Sequence, residues 1–434
     1  MPASSPPQQP RHGSAPGGDG TPVLCDARLA DGRTVDVRLG GGRILAVGTA
    51  GSLAGQAGGC GARVDLGGYV LLPAPVEAHT HLDTALTGVG GAGPAGGFRG
   101  AEGVAAGVQR RAVEAVLLQL GHGATALRTH VRVGGGAGLD DLRAVLAARA
   151  SLRGLADVAV VAAAPVLTGV AGAGGRALLH DAVAMGATAL GGCPDLDPDP
   201  AGYAEAVLRV AAEYGCAVDL HCDGTDPARL DRVAAVAGEL RCGVAVGPCG
   251  GLARVPYETA AGVAERLAGA GVAVVCLPQG DCGAVRGAGS GSPRGARPFA
   301  YAPVRLLRAA GVRVAAGTGS VRDTANPVGR GDPLLSAYLL ASAGEADPAA
   351  AYAAVAGQAR AVLGLPEVRV EAGFPAELLA VRGDSVAGAL SLGYSRIVIH
   401  RGRVVARTSA VREYCDSGAA DLDLPRQGLR PTAG

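Results

Sequence analysis

The sequence predicts an α/β fold: a (β/α)8 TIM barrel carrying a small composite β domain made from both flanks. Three observations predict it. Eight apolar runs of strand length recur through the middle of the chain, helix-spaced segments rich in Ala, Leu and Arg alternate with them, and short strand-and-turn patterns occupy both ends.

The strand candidates end at Ala78, Val133, Val166, Cys193, Cys222, Gly247, Leu277 and Ala316. Helical spacing runs over residues 108–120, 142–152, 204–214 and 230–240. A parallel barrel built this way places its chemistry at the C-terminal ends of its strands. An open doubly wound sheet is the competing arrangement, but no strand is followed by a glycine-rich phosphate turn leading into a helix.

In the N-terminal flank, Val23-Leu24-Cys25, residues 34–39 and Ile44-Leu45-Ala46-Val47 read as strands. Asp31-Gly32 and Gly40-Gly41-Gly42 supply the hairpin turns. The pattern returns at residues 376–381, 396–400 and 404–406, so the two halves are expected to share one small sheet or sandwich. The resulting division is a disordered leader at 1–20, the first β half at 21–68 and the barrel at 69–365. The second β half follows at 366–410, and a tail at 411–434.

Composition narrows the function. The 434 residues are 48% hydrophobic, with Gly 72, Tyr 9, Phe 3 and no Trp, which implies a core of small aliphatic side chains and many tight turns. A net charge of +1 points to neither nucleic acid nor an anionic membrane as partner. Every basic residue is Arg, so Schiff-base chemistry, a phosphate-loop lysine and a carbamylated lysine bridge are all excluded. Ten cysteines without any Cys-x-x-Cys read as reduced thiols of a cytoplasmic protein. The start of the chain lacks the pattern of a signal peptide, and no apolar run is long enough for a membrane span. A small-molecule substrate or ligand is the expected partner, and a homo-oligomer is compatible with the sequence.

The most informative stretch is Val76-Glu77-Ala78-His79-Thr80-His81-Leu82-Asp83, preceded by the apolar run Tyr69-Val70-Leu71-Leu72-Pro73, which reads as a buried strand. Residues two apart on a strand face the same side, so His79 and His81 present two imidazoles to one point, a partial site for zinc or iron. Arg128-Thr129-His130 and His221-Cys222-Asp223 also fall at strand ends. His130 reads equally as a ligand-facing histidine and as a satisfied buried one.

Taken in order, several motifs resemble the metal-dependent amidohydrolases, in their cytosine deaminase-like branch. They are His79-Thr80-His81-Leu82-Asp83, Arg128-Thr129-His130-Val131, Gly191-Gly192-Cys193-Pro194, Val218-Asp219-Leu220-His221-Cys222-Asp223 and Val321-Arg322-Asp323. The resemblance implies hydrolysis of a cyclic amidine or amide C–N bond by water activated on one divalent metal. It carries the metal-ligand role onto His79, His81 and His221, and it places His130, Asp83 and Thr168 in the substrate pocket.

The resemblance departs at four positions. Gly224 stands where the family has a proton-shuttle glutamate, and Gly319 where it has the aspartate after the eighth strand. Gly247-Pro248-Cys249-Gly250 replaces the histidine after the sixth strand, and Pro165-Val166-Leu167-Thr168 occupies the strand-three end where the family has a substrate-holding glutamine. Asp223 is the carboxylate nearest the vacant glutamate position and is named as a substitute catalytic group, with a loop or capping role as its alternative. Cys249 reads either as a replacement ligand, closing a tetrahedral set with His79, His81 and His221, or as a small buried thiol. A catalytically degenerate barrel that keeps a pocket for binding is the alternative to hydrolysis.

Overall fold

A computed structural model describes residues 21–53, 62–88, 101–238, 243–280 and 301–410. The leader and tail expected from the sequence lie outside the described residues. Strands β1 (Val23–Arg28), β2 (Thr34–Gly40), β3 (Arg43–Thr49), β4 (Arg63–Asp65) and β5 (Tyr69–Pro73) come first. The middle supplies β6 (Val76–Thr80), β7 (Ala126–Arg132), β8 (Asp157–Ala163) and β9 (Ala189–Gly192). It continues with β10 (Ala217–Cys222), β11 (Val244–Pro248), β12 (Ala273–Cys276) and β13 (Val314–Ala316). The last strands are β14 (Leu378–Arg382), β15 (Arg396–His400) and β16 (Arg403–Thr408).

The eight strands β6 to β13 pair in sequence order, each parallel to its neighbour, with helices between them. The cylinder closes where β13 meets β6: the Thr318 amide donates to Glu77 Oε1 at 2.9 Å, and the Gly319 amide to the His79 carbonyl at 2.9 Å. This is the (β/α)8 barrel. Val218, Leu220, Val246 and Val274 face outward into the aliphatic layer beneath the helices, a layer dominated by Val, Leu and Ala. The alternate residues Asp219 and His221 face the lumen.

The flanks form one sheet, in the order β16-β15-β14-β5-β1-β2-β3, with β4 beside β1. The seam between the two halves is the antiparallel pair β5 and β14, with Leu71 opposite Ala380. Tyr69–Pro73 is thus a strand, as its apolar run predicts, but it belongs to this flanking sheet. The chain then crosses into the barrel within Ala74-Pro75. Proline lacks an amide hydrogen and restricts the residue before it, which breaks one ladder and lets the next begin at Val76. Proline also trims the third barrel strand: the run read as far as Val166 ends at Ala163, just before Ala164-Pro165.

The flanking sheet is tied to the barrel by a buried ion pair. Arg396 on β15 donates to both oxygens of Asp332, at 2.7 and 2.8 Å, and to the His122 carbonyl at 2.6 Å. Among the described residues, no helix is long and apolar enough to cross a membrane.

Candidate metal centre

Strand alternation assembles the centre. On β6, Glu77 and His79 face the lumen and His81 follows just beyond the strand. Arg128 and His130 do so on β7, and Asp219 and His221 on β10. His79, His81, His130 and His221 each offer one ring nitrogen, and these four nitrogens lie within 4.8 Å of one another. The rings are packed closely: His79 lies 4.1 Å from His130 and 4.6 Å from His221, centre to centre, and His130 lies 4.6 Å from His221. His81 stands 5.2 Å from His221 and 5.3 Å from His79. All four are buried.

The site fits a metal on two counts. Nitrogens bound to one zinc at about 2.0–2.1 Å and near-tetrahedral angles stand roughly 3.3 Å apart, and His81 Nε2 and His221 Nε2 are 3.2 Å apart. Three of the rings also favour the ligating form. Burial, reinforced by His130, lowers the pKa of His79 to about 4. Burial and the neighbouring imidazoles hold His81 and His221 well below the usual histidine range. Neutral imidazole keeps a lone pair for a cation.

Three further polar side chains share the lumen. Asp219 Oδ2 lies 2.8 Å from Arg128 Nη2, 3.3 Å from His130 Nε2 and 3.7 Å from His79 Nδ1. Burial alone would raise the Asp219 carboxyl, but the Arg128 charge and the His130 ring outweigh it and hold the group well below the usual range. Arg128 also donates through Nε to the Ala78 carbonyl at 3.1 Å, locking β7 to β6. Glu77 Oε1 accepts from the His79 amide at 3.0 Å as well as from Thr318, and burial raises its carboxyl to about 7.

The residues expected in or near the site separate into two groups. His79, His81 and His221 converge, and His130 joins them in the same cluster. Cys249 is outside the four-residue set: its thiol packs in the aliphatic layer with Cys222 and Leu252, and its amide donates to the Cys222 carbonyl at 3.0 Å. The small-buried-thiol alternative describes its surroundings. Asp223 accepts from the Thr225 hydroxyl and, at 3.1 Å, from the Gly251 amide, the contacts of a loop carboxylate. Asp83 is buried and accepts from the Arg132 amide and Nε, both at 3.3 Å, which ties the loop after β6 to the end of β7. Thr168 donates its hydroxyl to Asp197, which also accepts from the Leu167 amide at 2.7 Å and so staples the loops after β8 and β9.

The two glycines at vacant family positions have local reasons to be glycine. Gly224 has φ +78°, and a Cβ there would sit 2.9 Å from Leu252 Cγ. Gly319 has φ +77° and places its amide on the His79 carbonyl. Sequence reasoning gave no role to Glu77, Arg128 or Asp219. The signal was present: each precedes a cluster histidine by two residues, so each shares its lumen-facing side.

The amidohydrolase family model matches residues 121–406. A pterin deaminase of Rhizobium rhizogenes is 27% identical over 371 residues, spanning 80% of this chain and 83% of that protein. Among solved structures, N-isopropylammelide isopropylaminohydrolase of Burkholderia multivorans superposes with a TM-score of 0.73 at 26% identity, covering 89% of this chain and 98% of its own. The 5-methylcytosine deaminase of Klebsiella pneumoniae, at 22% identity, shares the fold with a TM-score of 0.75 over 91% of this chain and 100% of its own. With a family match over more than half its length and these deaminase relatives, the chain belongs to the amidohydrolase family, in its metal-dependent, deaminase-like branch.

Proposed function

We propose that this protein hydrolyses an exocyclic or ring C–N bond of a small nitrogen heterocycle, a cyclic amidine or amide, with a zinc or iron ion held by His79, His81 and His221. The observation that carries the reading is the convergence of four buried imidazoles at one end of the barrel lumen. A divalent metal bound there supplies a Lewis acid that lowers the pKa of water and polarises the carbon under attack. The chain's own residues prepare the place: burial disfavours protonation of His79, His81 and His221, Glu77 fixes the His79 backbone, and the Asp219 carboxylate, paired with Arg128, lies beside the His79 and His130 rings.

Two relatives support the substrate class. Pterin deaminase and N-isopropylammelide isopropylaminohydrolase are both named for breaking a C–N bond. The degenerate-barrel alternative rests on Gly224 and Gly319 and on the loop contacts of Asp223, and the family relationships do not favour it over hydrolysis. The test is release of ammonia or alkylamine from a panel of pterins, aminotriazines and aminopyrimidines by zinc- or iron-loaded full-length protein. Metal-dependent release supports hydrolysis, and no release from any class by metal-replete protein supports the binding alternative.

A further inference from the structure

His130 is placed as a ligand is placed. Its ring centre is nearer to His79 and His221 than the ring centre of His81 is, and it is 1% exposed. Its Nε2 lies 3.3 Å from Asp219 Oδ2, and neither of its two buried ring nitrogens has a hydrogen-bond partner. The ring thus lies beside the Asp219 carboxylate and offers a nitrogen to the same cluster as His79, His81 and His221. A histidine whose second nitrogen rests on a carboxylate is the usual arrangement around protein-bound metals, because the carboxylate fixes the tautomer and raises the basicity of the ring.

We infer that His130 is the fourth protein ligand of the metal, supplying the contact that Gly319 and the Gly247-Pro248-Cys249 turn do not provide, and that Asp219 is its positioning carboxylate. The inference rests on the metal reading of His79, His81 and His221 given above. It makes the centre an all-imidazole set drawn from β6, β7 and β10. Such a set suits zinc, iron or copper and disfavours magnesium or calcium, which prefer oxygen. Asp219, paired with Arg128 at 2.8 Å, then lies beside the ligand rings without itself ligating.

The test uses full-length protein stripped by a chelator and reloaded with zinc. X-ray absorption fine structure of the wild type should fit four imidazole nitrogens, and His130→Ala should fit three. In competition with a chromophoric chelator, Asp219→Asn should lose about 10–100-fold in zinc affinity, and His130→Ala at least as much. Circular dichroism of the metal-free variants verifies folding, and the wild-type spectrum decides the matter if a variant does not fold. Three imidazoles in the wild type overturn the inference and leave the three-histidine site standing. No stoichiometric zinc in the wild type overturns both.

Discussion

Arg128 Nη2 meets Asp219 Oδ2 at 2.8 Å across the lumen, from strands separated by β8 and β9. Both side chains are buried, at 3% and 0% exposure, so each charge depends on the other. Removing one partner strands the second, which typically costs about 3–5 kcal/mol. Arg128→Met should therefore destabilise the fold by that order in a denaturant titration. Arg128→Met combined with Asp219→Leu should be less damaging than the sum of the single changes. Additive losses would show that the pair is not coupled.

Binding energy at the imidazole cluster is available only to the folded chain, so metal should stabilise it. At about one hundred times its dissociation constant, a ligand adds roughly 2.7 kcal/mol. Thermal unfolding of chelator-stripped protein should move upward progressively with added zinc. His81→Ala combined with His221→Ala should remove most of that response. An equal response in the double variant would place the metal elsewhere.

The buried Asp332–Arg396 pair predicts acid sensitivity at the junction of barrel and sheet. Burial would raise the Asp332 carboxyl, but the paired Arg396 guanidinium outweighs it and holds the group below the usual carboxylate range. A depressed carboxylate contributes stability that is complete above its unfolded pKa and is lost as pH falls through the folded one. Melting temperature should therefore drop more steeply below about pH 4 in the wild type than in Asp332→Asn. The variant should be less stable at neutral pH, because the amide leaves Arg396 without its counter-charge. Parallel profiles would argue against the pair as the source.

Restoring a glutamate at position 224 should not restore a proton shuttle. The left-handed backbone and the nearby Leu252 side chain oppose any side chain there, at a cost of about 1–2 kcal/mol for the conformation alone. Gly224→Ala and Gly224→Glu should both lower stability by at least that order in denaturant titrations. Neither should raise turnover in a steady-state assay. Unchanged stability in Gly224→Ala would show that the loop adapts.

Much of this architecture was legible in the sequence because it rests on local periodicity. The run closing at Cys222 ends where the strand ends, and His79, His81 and His221 converge because strand alternation and strand ends place them together. What escaped depends on partners distant in the chain. The apolar run Tyr69–Pro73 announces a strand, but only its pairing with β14 decides which sheet receives it. Arg128 and Asp219 each share a face with a histidine, yet their contact follows from the closure of the cylinder. Positive φ at Gly224 and Cys249 is likewise set by how the loops after β10 and β11 pack on each other. That packing brings the Gly251 amide onto the Asp223 carboxylate and the Cys249 amide onto the Cys222 carbonyl.

The most direct test of the central claim is the metal content of purified full-length protein, measured by plasma mass spectrometry after reconstitution and desalting. The account predicts close to one zinc or iron per chain, lost when His79, His81 and His221 are replaced together by Ala in a chain that remains folded. A wild-type protein that retains no metal, or a triple variant that retains as much as the wild type, would contradict it.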